Sequence, residues 1–109
     1  MRCGNGLMVK ILEEAENDLN RFENGVANKI LDEIEGQLED GVDSEAVKVI
    51  QRPTYDAVFH RLKLAENGLD HRIYFDYKDS ELYVFAVRHR DKAYTEEDLK
   101  ESVKRLQNI

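Results

Sequence analysis

The apolar residues of this chain follow two different periods, a helical one in the first half and a strand-like one further on. A first apolar run, Leu7–Leu12, predicts a β-strand. From Glu13 the apolar residues recur at helical spacing in two stripes, which Asn24-Gly25 separates and Gly41 ends. The stripes are Ala15, Leu19 and Phe22 in the first helix and Val26, Ile30, Ile34 and Leu38 in the second. The first half therefore predicts one strand followed by two helices.

The second half predicts three strands and a last helix. Residues 41–56, which include the only proline, Pro53, have the least regular pattern. Period-two alternation then fills three runs joined by short polar turns, which predicts an antiparallel meander: Val58–Leu64, His71–Tyr77 and Glu81–Val87. Thr95 is the expected N-cap of a C-terminal helix over residues 95–109, whose apolar stripe is Leu99, Val103 and Leu106.

These elements predict an α+β fold. It consists of a small antiparallel sheet of about four strands, with two N-terminal helices and a C-terminal helix that cover one face. The length of 109 residues and the apolar content of 41% fit a single domain over residues 1–109, with residues 1–7 as a loose N-terminus.

The composition and the motifs of the chain argue against several classes of protein. Cys3 is the only cysteine, so an internal disulfide and a multi-cysteine zinc site are excluded. The histidines lack metal-ligand spacing and no phosphate-loop motif is present, so we expect neither a metal nor a cofactor. No apolar run is long enough to span a bilayer, and the first residues lack the apolar segment of a secretory signal. We therefore expect a cytoplasmic protein that does not contact a membrane.

Charge is distributed unevenly along the chain. The formal net charge is −7, which by itself argues against a nucleic-acid partner. Residues 1–50 contain 5 Lys and Arg against 12 Asp and Glu, whereas residues 51–94 contain 8 against 7. The acidic excess therefore lies in the first half, and most of the arginines lie within residues 51–94.

The candidate chemistry lies on that meander. In an antiparallel meander the start of the middle strand lies beside the ends of its neighbours, so the geometry predicts that Lys63, Arg72 and the segment Arg88–Arg90 meet at one end of the sheet. Converging cations with a histidine and a tyrosine nearby are suited to binding a phosphodiester and stabilising its charge. The alternative, from the residues alone, is that these are ordinary solvated side chains on an exposed strand face.

The same block resembles a known family. The segment RLKLAENGLDHRIYFDYKDSELYVFAVRHRDKAY is similar to the C-terminal half of toxins of the RelE/ParE superfamily, which belong to toxin–antitoxin systems. The shared pattern is an Arg-Leu-x strand, a turn, a strand with His-Arg before apolar residues, and a strand ending in His-Arg before a tyrosine. The first strand followed by Glu13–Leu19 is also similar, so the resemblance covers about residues 8–94.

The resemblance implies a function and a set of site residues. It implies cleavage of messenger RNA on the ribosome, without a metal, by attack of a ribose 2′-hydroxyl on the adjacent phosphate. The positions that match are Arg61, Lys63, Arg72 and Arg90, which would hold the phosphate, and His89 or Tyr94, which would transfer a proton. The implied partners are a cognate antitoxin protein and messenger RNA on the ribosome.

Two other functions stay open at this point. One is a catalytically inactive protein-binding module of the same fold, which pairs with an antitoxin or with itself as a homodimer. The other is a ParE-like inhibitor of DNA gyrase. The C-terminal helix bears on this choice, because its apolar stripe must be buried on its own sheet or on a partner. We expect it to dock on its own sheet, since the link from the last strand is short.

Overall fold

Five strands and three helices make up the described part of the chain in this computed structural model, which covers residues 8–38, 47–52, 57–65, 68–78 and 81–107. In chain order the elements are β1 (Met8–Ile11), α1 (Glu13–Leu19), α2 (Asn24–Leu38), β2 (Val47–Arg52), β3 (Ala57–Leu64), β4 (His71–Lys78), β5 (Glu81–His89) and α3 (Glu96–Gln107). The strands form one sheet in the order β1-β5-β4-β3-β2. The loose N-terminus at residues 1–7, the helix stop at Gly41, Pro53 and the turn at Asp79-Ser80 lie outside the described residues.

The α+β fold and the meander β3-β4-β5 are confirmed, and the sheet has one strand more than expected. The additional strand, β2, lies within residues 41–56 and pairs antiparallel with β3. It was missed because its six residues border the only proline and alternate apolar with charged side chains only over Val47–Val49. The sheet is mixed, since β1 pairs parallel with β5 while the other pairs are antiparallel.

The expectation that all helices cover one face of the sheet is wrong. The larger core packs α1 and α2 against one face and contains Ala15, Leu19, Ile30, Ile34, Leu62, Leu64, Ile73, Phe75, Leu82, Val84 and Val87. A smaller core lies on the opposite face and joins α3 to the sheet through Phe59, Tyr74, Phe85, Ala86 and Leu99. The reason for two cores is that β3, β4 and β5 carry large apolar side chains on both of their faces.

A bulge in β5 adds an aromatic side chain to the smaller core. Tyr74 is opposite Ala86 while Phe75 is opposite Val84, so Phe85 is an extra residue with no partner in β4. As a result Phe85 and Ala86, although consecutive, both pack in the core beneath α3. The C-terminal helix therefore docks on its own sheet, as expected from its stripe, and its N-cap is confirmed by the Asp98 amide, which donates to Thr95 Oγ1 at 3.2 Å.

A buried ionic network closes the free edge of β5. β1 pairs only with Glu81–Val84, so the following residues of β5 pair with β4 on one side and have no strand on the other. Val87 N donates to Asp18 Oδ2 at 3.0 Å, and Arg105 Nη1 donates to the Phe85 carbonyl at 3.0 Å. Arg105 Nη1 also binds Asp18 at 2.7 Å, which ties α1 to α3 across this edge. Side chains of two helices thus take the place of the missing strand.

Candidate functional site

Basic side chains lie in two rows across the sheet, here called the basic rows, on the face that α3 covers. In the first row Lys48 of β2 is directly opposite Arg61 of β3. In the second row Lys63 of β3 is opposite Arg72 of β4, which is in turn opposite Arg88 of β5. Residues directly opposite each other in an antiparallel pair point to the same face, so these five cations share one surface.

Such a row is electrostatically unfavourable unless an anion balances it, because like charges directly opposite each other destabilise a sheet. Among the described residues, no carboxylate lies within ion-pair distance of Lys48, Arg61 or Lys63. Arg61 is 92% buried, with 8% of its surface exposed, and its Nε has no described hydrogen-bond partner. Unbalanced cations around a buried guanidinium are what an anion-binding surface requires.

Arg72 lies at the centre of the cluster that the two rows form with Arg90 and Tyr94. Its Nη1 donates to the His71 carbonyl at 3.1 Å and lies 3.5 Å from Asp70 Oδ1. Asp70 also binds Arg90, whose Nε is 3.0 Å from Asp70 Oδ2 and whose amide donates to the Asp70 carbonyl at 2.9 Å. Asp70 thereby holds the exposed Arg90 beside the buried Arg72.

Tyr94 completes the cluster from the loop between β5 and α3. The guanidinium groups of Arg61 and Arg72 both act electrostatically on its hydroxyl. Burial raises the pKa of the Tyr94 hydroxyl, and the two arginines only partly oppose that effect. The phenol therefore carries its proton at neutral pH.

The backbone at Tyr94 is in the left-handed region, with a φ of 66°. This is a conformation that costs a residue other than glycine about 1–2 kcal/mol. It is a functional clue as well, because strained backbone persists only where the surrounding contacts over-determine it. Two acceptors hold the Tyr94 amide, the hydroxyl of Tyr74 and the carboxylate of Asp98.

His89 is not part of this cluster. It is opposite His71, one position along from the pair of Arg72 and Arg88, so its side chain points to the face that α1 and α2 cover. There its ring lies 5.2 Å from that of His71, and the ring of Phe22 lies 4.8 Å beyond, between ring centroids. Burial and the neighbouring His89 lower the pKa of His71. Of the two proton-transfer candidates, the structure brings only Tyr94 to the arginines.

Arg88 shares the face but its charge is already balanced. Its guanidinium pairs with Asp18 at 2.9 Å and hydrogen-bonds Asp98 through Nε, and Glu101 lies 3.5 Å away. It therefore contributes to the docking of α3 more than to anion binding.

Sequence reasoning missed Lys48 and Asp98. Lys48 could have been found from the alternation of Val47, Lys48 and Val49, had that run been interpreted as a strand. For Asp98 the sequence offers only its place in the acidic first turn of α3, which is typical of any helix start.

No group of three or more His, Cys, Asp or Glu side chains in the described part of the chain is arranged to hold a metal ion. No helix of the same part is long and apolar enough to cross a membrane.

Comparison with known proteins rests on solved structures. A scan against models of protein families finds no match, and a search of curated sequences finds no relative. The structure is similar to a free double arginine-to-alanine mutant of Escherichia coli toxin RelE, with a TM-score of 0.65 and 20% identity over 93% of this chain and 98% of that one.

Two other solved structures are also similar in fold to this chain. A chain of the toxin–antitoxin complex RelBE2 from Mycobacterium tuberculosis has a TM-score of 0.63 and 16% identity, over 78% of this chain and 99% of that one. A copper-bound mutant toxin from Helicobacter pylori has a TM-score of 0.51 and 14% identity, over 81% of this chain and 99% of that one. The chain therefore has the fold of the RelE toxins.

Proposed function

We propose that this protein is a RelE-type toxin that cleaves messenger RNA on the ribosome. The observation that carries the proposal is the set of basic residues in register on one sheet face, together with the protonated Tyr94 and with Arg61, which has no carboxylate partner among the described residues. The fold shared with RelE toxins supports the same reading.

The proposed reaction is an internal transfer at phosphorus. The ribose 2′-oxygen forms a bond to the adjacent phosphorus and loses its proton to water, while the bond from phosphorus to the 5′-oxygen breaks. The products are a 2′,3′-cyclic phosphate and a free 5′-hydroxyl. Tyr94 supplies the proton that the leaving 5′-oxygen takes up, and solvent then restores it. Arg61 and Arg72 stabilise the additional negative charge on the phosphoryl oxygens in the transition state.

The net charge of −7 is compatible with this role because of where the acidic residues lie. Exposed carboxylates of the first half lie on α1, α2 and the turn between them, and these helices cover the face opposite the basic rows: Glu13, Glu16, Glu23, Asp32 and Glu35. One face of the sheet can therefore meet an anionic polymer while the acidic helices point away from it.

A toxin of this kind needs an antitoxin and a site of action. The RelBE2 structure is a toxin–antitoxin complex, and we propose a protein antitoxin for this chain by analogy. Action on the ribosome places the protein in the cytoplasm.

The direct test is induced expression with primer extension on a translated message. We expect growth arrest, and new 5′ ends within the coding region that appear only while the message is translated. Growth arrest without new 5′ ends would point to a target such as gyrase. Absence of both, with retained binding to an antitoxin, would favour the inactive binding module.

Salt dependence tests the basic rows independently of cleavage. Binding of single-stranded RNA should weaken as salt rises, because each neutralised phosphate releases counterions. The logarithm of the binding constant should fall with the logarithm of the salt concentration, with a slope of about −0.7 per phosphate contact. Lys48→Ala and Lys63→Ala should each make this slope shallower by about that amount. Lys104→Ala, which removes an exposed lysine from the last turn of α3, should leave it unchanged. Equal slopes in all three variants would show that Lys48 and Lys63 do not contact the RNA.

A further inference from the structure

The backbone of Tyr94 is fixed by a closed set of three hydrogen bonds. Its amide lies 2.9 Å from Asp98 Oδ2 and 3.2 Å from the Tyr74 hydroxyl. The Tyr74 hydroxyl in turn donates to the same Asp98 oxygen at 2.6 Å. Each of the three residues is thereby bonded to the other two.

Both partners of Tyr94 belong to the rigid part of the molecule. Tyr74 is fully buried in the middle of β4, between Phe59 and Phe85, with its ring centroid 4.9 Å and 6.2 Å from theirs. Burial and the carboxylate of Asp98 raise the pKa of Tyr74 far above its ordinary value. Its hydroxyl therefore carries its proton at neutral pH and donates it to Asp98.

Asp98 is held from its other side by α3 and β5. Its second oxygen, Oδ1, accepts from Arg88 and from Ser102 Oγ, and its amide is capped by Thr95. In a capping box the side chain of the third helical residue returns to the N-cap amide. Here the Asp98 carboxylate reaches one residue further back, to Tyr94, and so its contact lies at the candidate site instead of at the helix cap.

We infer that Asp98 and Tyr74 are positioning residues, which hold Tyr94 in its left-handed conformation and so place its hydroxyl against Arg72 and Arg61. The inference rests on the proposed function of Tyr94. Neither residue would touch RNA, because Tyr74 lies in the core and Asp98 is 6% exposed. Their effect is therefore expected in the rate of cleavage and not in the affinity for RNA.

The discriminating variant is Tyr74→Phe, since it removes one hydroxyl and leaves the ring in the core. We expect kcat to fall about 10- to 100-fold, as for other small misplacements of a reacting group, with the RNA dissociation constant changed less than about twofold. The Tyr94 amide should exchange its hydrogen faster, and the NMR signal of the Tyr94 ring carbon that carries the hydroxyl should move toward that of an exposed tyrosine.

Tyr77→Phe is the matched control for Tyr74→Phe. It makes the same chemical change at a buried hydroxyl that has no described partner. It should leave the Tyr94 amide and ring signals and the cleavage rate unchanged.

The NMR readout separates failure of this inference from failure of the proposed function. If the parent protein cleaves no RNA but Tyr74→Phe still shifts the Tyr94 signals, the positioning holds and the proposed nuclease is wrong. If Tyr74→Phe leaves the Tyr94 amide exchange and ring signal as they are in the parent, the positioning role is overturned whatever the activity.

Discussion

Replacing Arg72 with alanine is expected to lower the rate of RNA cleavage about 10²- to 10³-fold, which is the effect of removing one preorganised donor from a developing oxyanion. Arg72 is the cation that joins the parts of the site, since it faces Lys63 across the strands, acts electrostatically on the Tyr94 hydroxyl and shares Asp70 with Arg90. The measurement is single-turnover cleavage of a translated message, compared with relief of growth arrest.

Two further variants are controls for the result with Arg72→Ala. Arg72→Lys keeps the charge but loses the fork of donors, so it should recover binding of RNA but little of the rate. Arg21→Ala removes an exposed arginine outside the basic rows and should leave cleavage at the parent level. A parent-like rate in Arg72→Ala, in a protein that melts at the parent temperature, would mean that the basic rows do not form a catalytic site.

The elements of the fold could largely be predicted, because each of the long ones has a clear period. The Ile73, Phe75 and Tyr77 alternation in β4 and the Leu99 stripe in α3 are both found in the cores to which they point. The strand β2 is the exception, since a short alternating run between a polar segment and a proline has no distinctive signal.

The site was predictable only in part, for two physical reasons. Consecutive residues of a strand point to opposite faces of the sheet, so His89 and Arg88 lie on different faces. Proximity in sequence was therefore a poor guide to which side chains would meet. The environment of Arg88 depends on Asp18, which lies 70 residues earlier in the chain and reaches the edge of β5 only once α1 has docked. No local pattern encodes such a contact, and none encodes the left-handed backbone of Tyr94.

The largest loss of stability is expected from Asp18→Ala. The Asp18 carboxylate is 2% exposed and balances two buried arginines, with Arg88 at 2.9 Å and Arg105 at 2.7 Å, and it accepts the Val87 amide at the open edge of β5. Removing one member of a buried charged set leaves the others desolvated without a partner, which costs about 3–5 kcal/mol. A domain of this size should then melt more than about 10 °C lower, measured by circular dichroism.

Glu101→Ala is the matched control for Asp18→Ala, because Glu101 contacts the same two arginines from the exposed side. Its carboxylate lies 2.7 Å from Arg105 and 3.5 Å from Arg88, but its side chain is 56% exposed. Solvent screens such a pair, so we expect a loss below about 1 kcal/mol. If both variants cost the same small amount, the edge of β5 is held by apolar packing of α3 alone. If only Asp18→Ala is severe, the carboxylate from α1 is what fixes α3, and with it Asp98 and Tyr94, on the sheet.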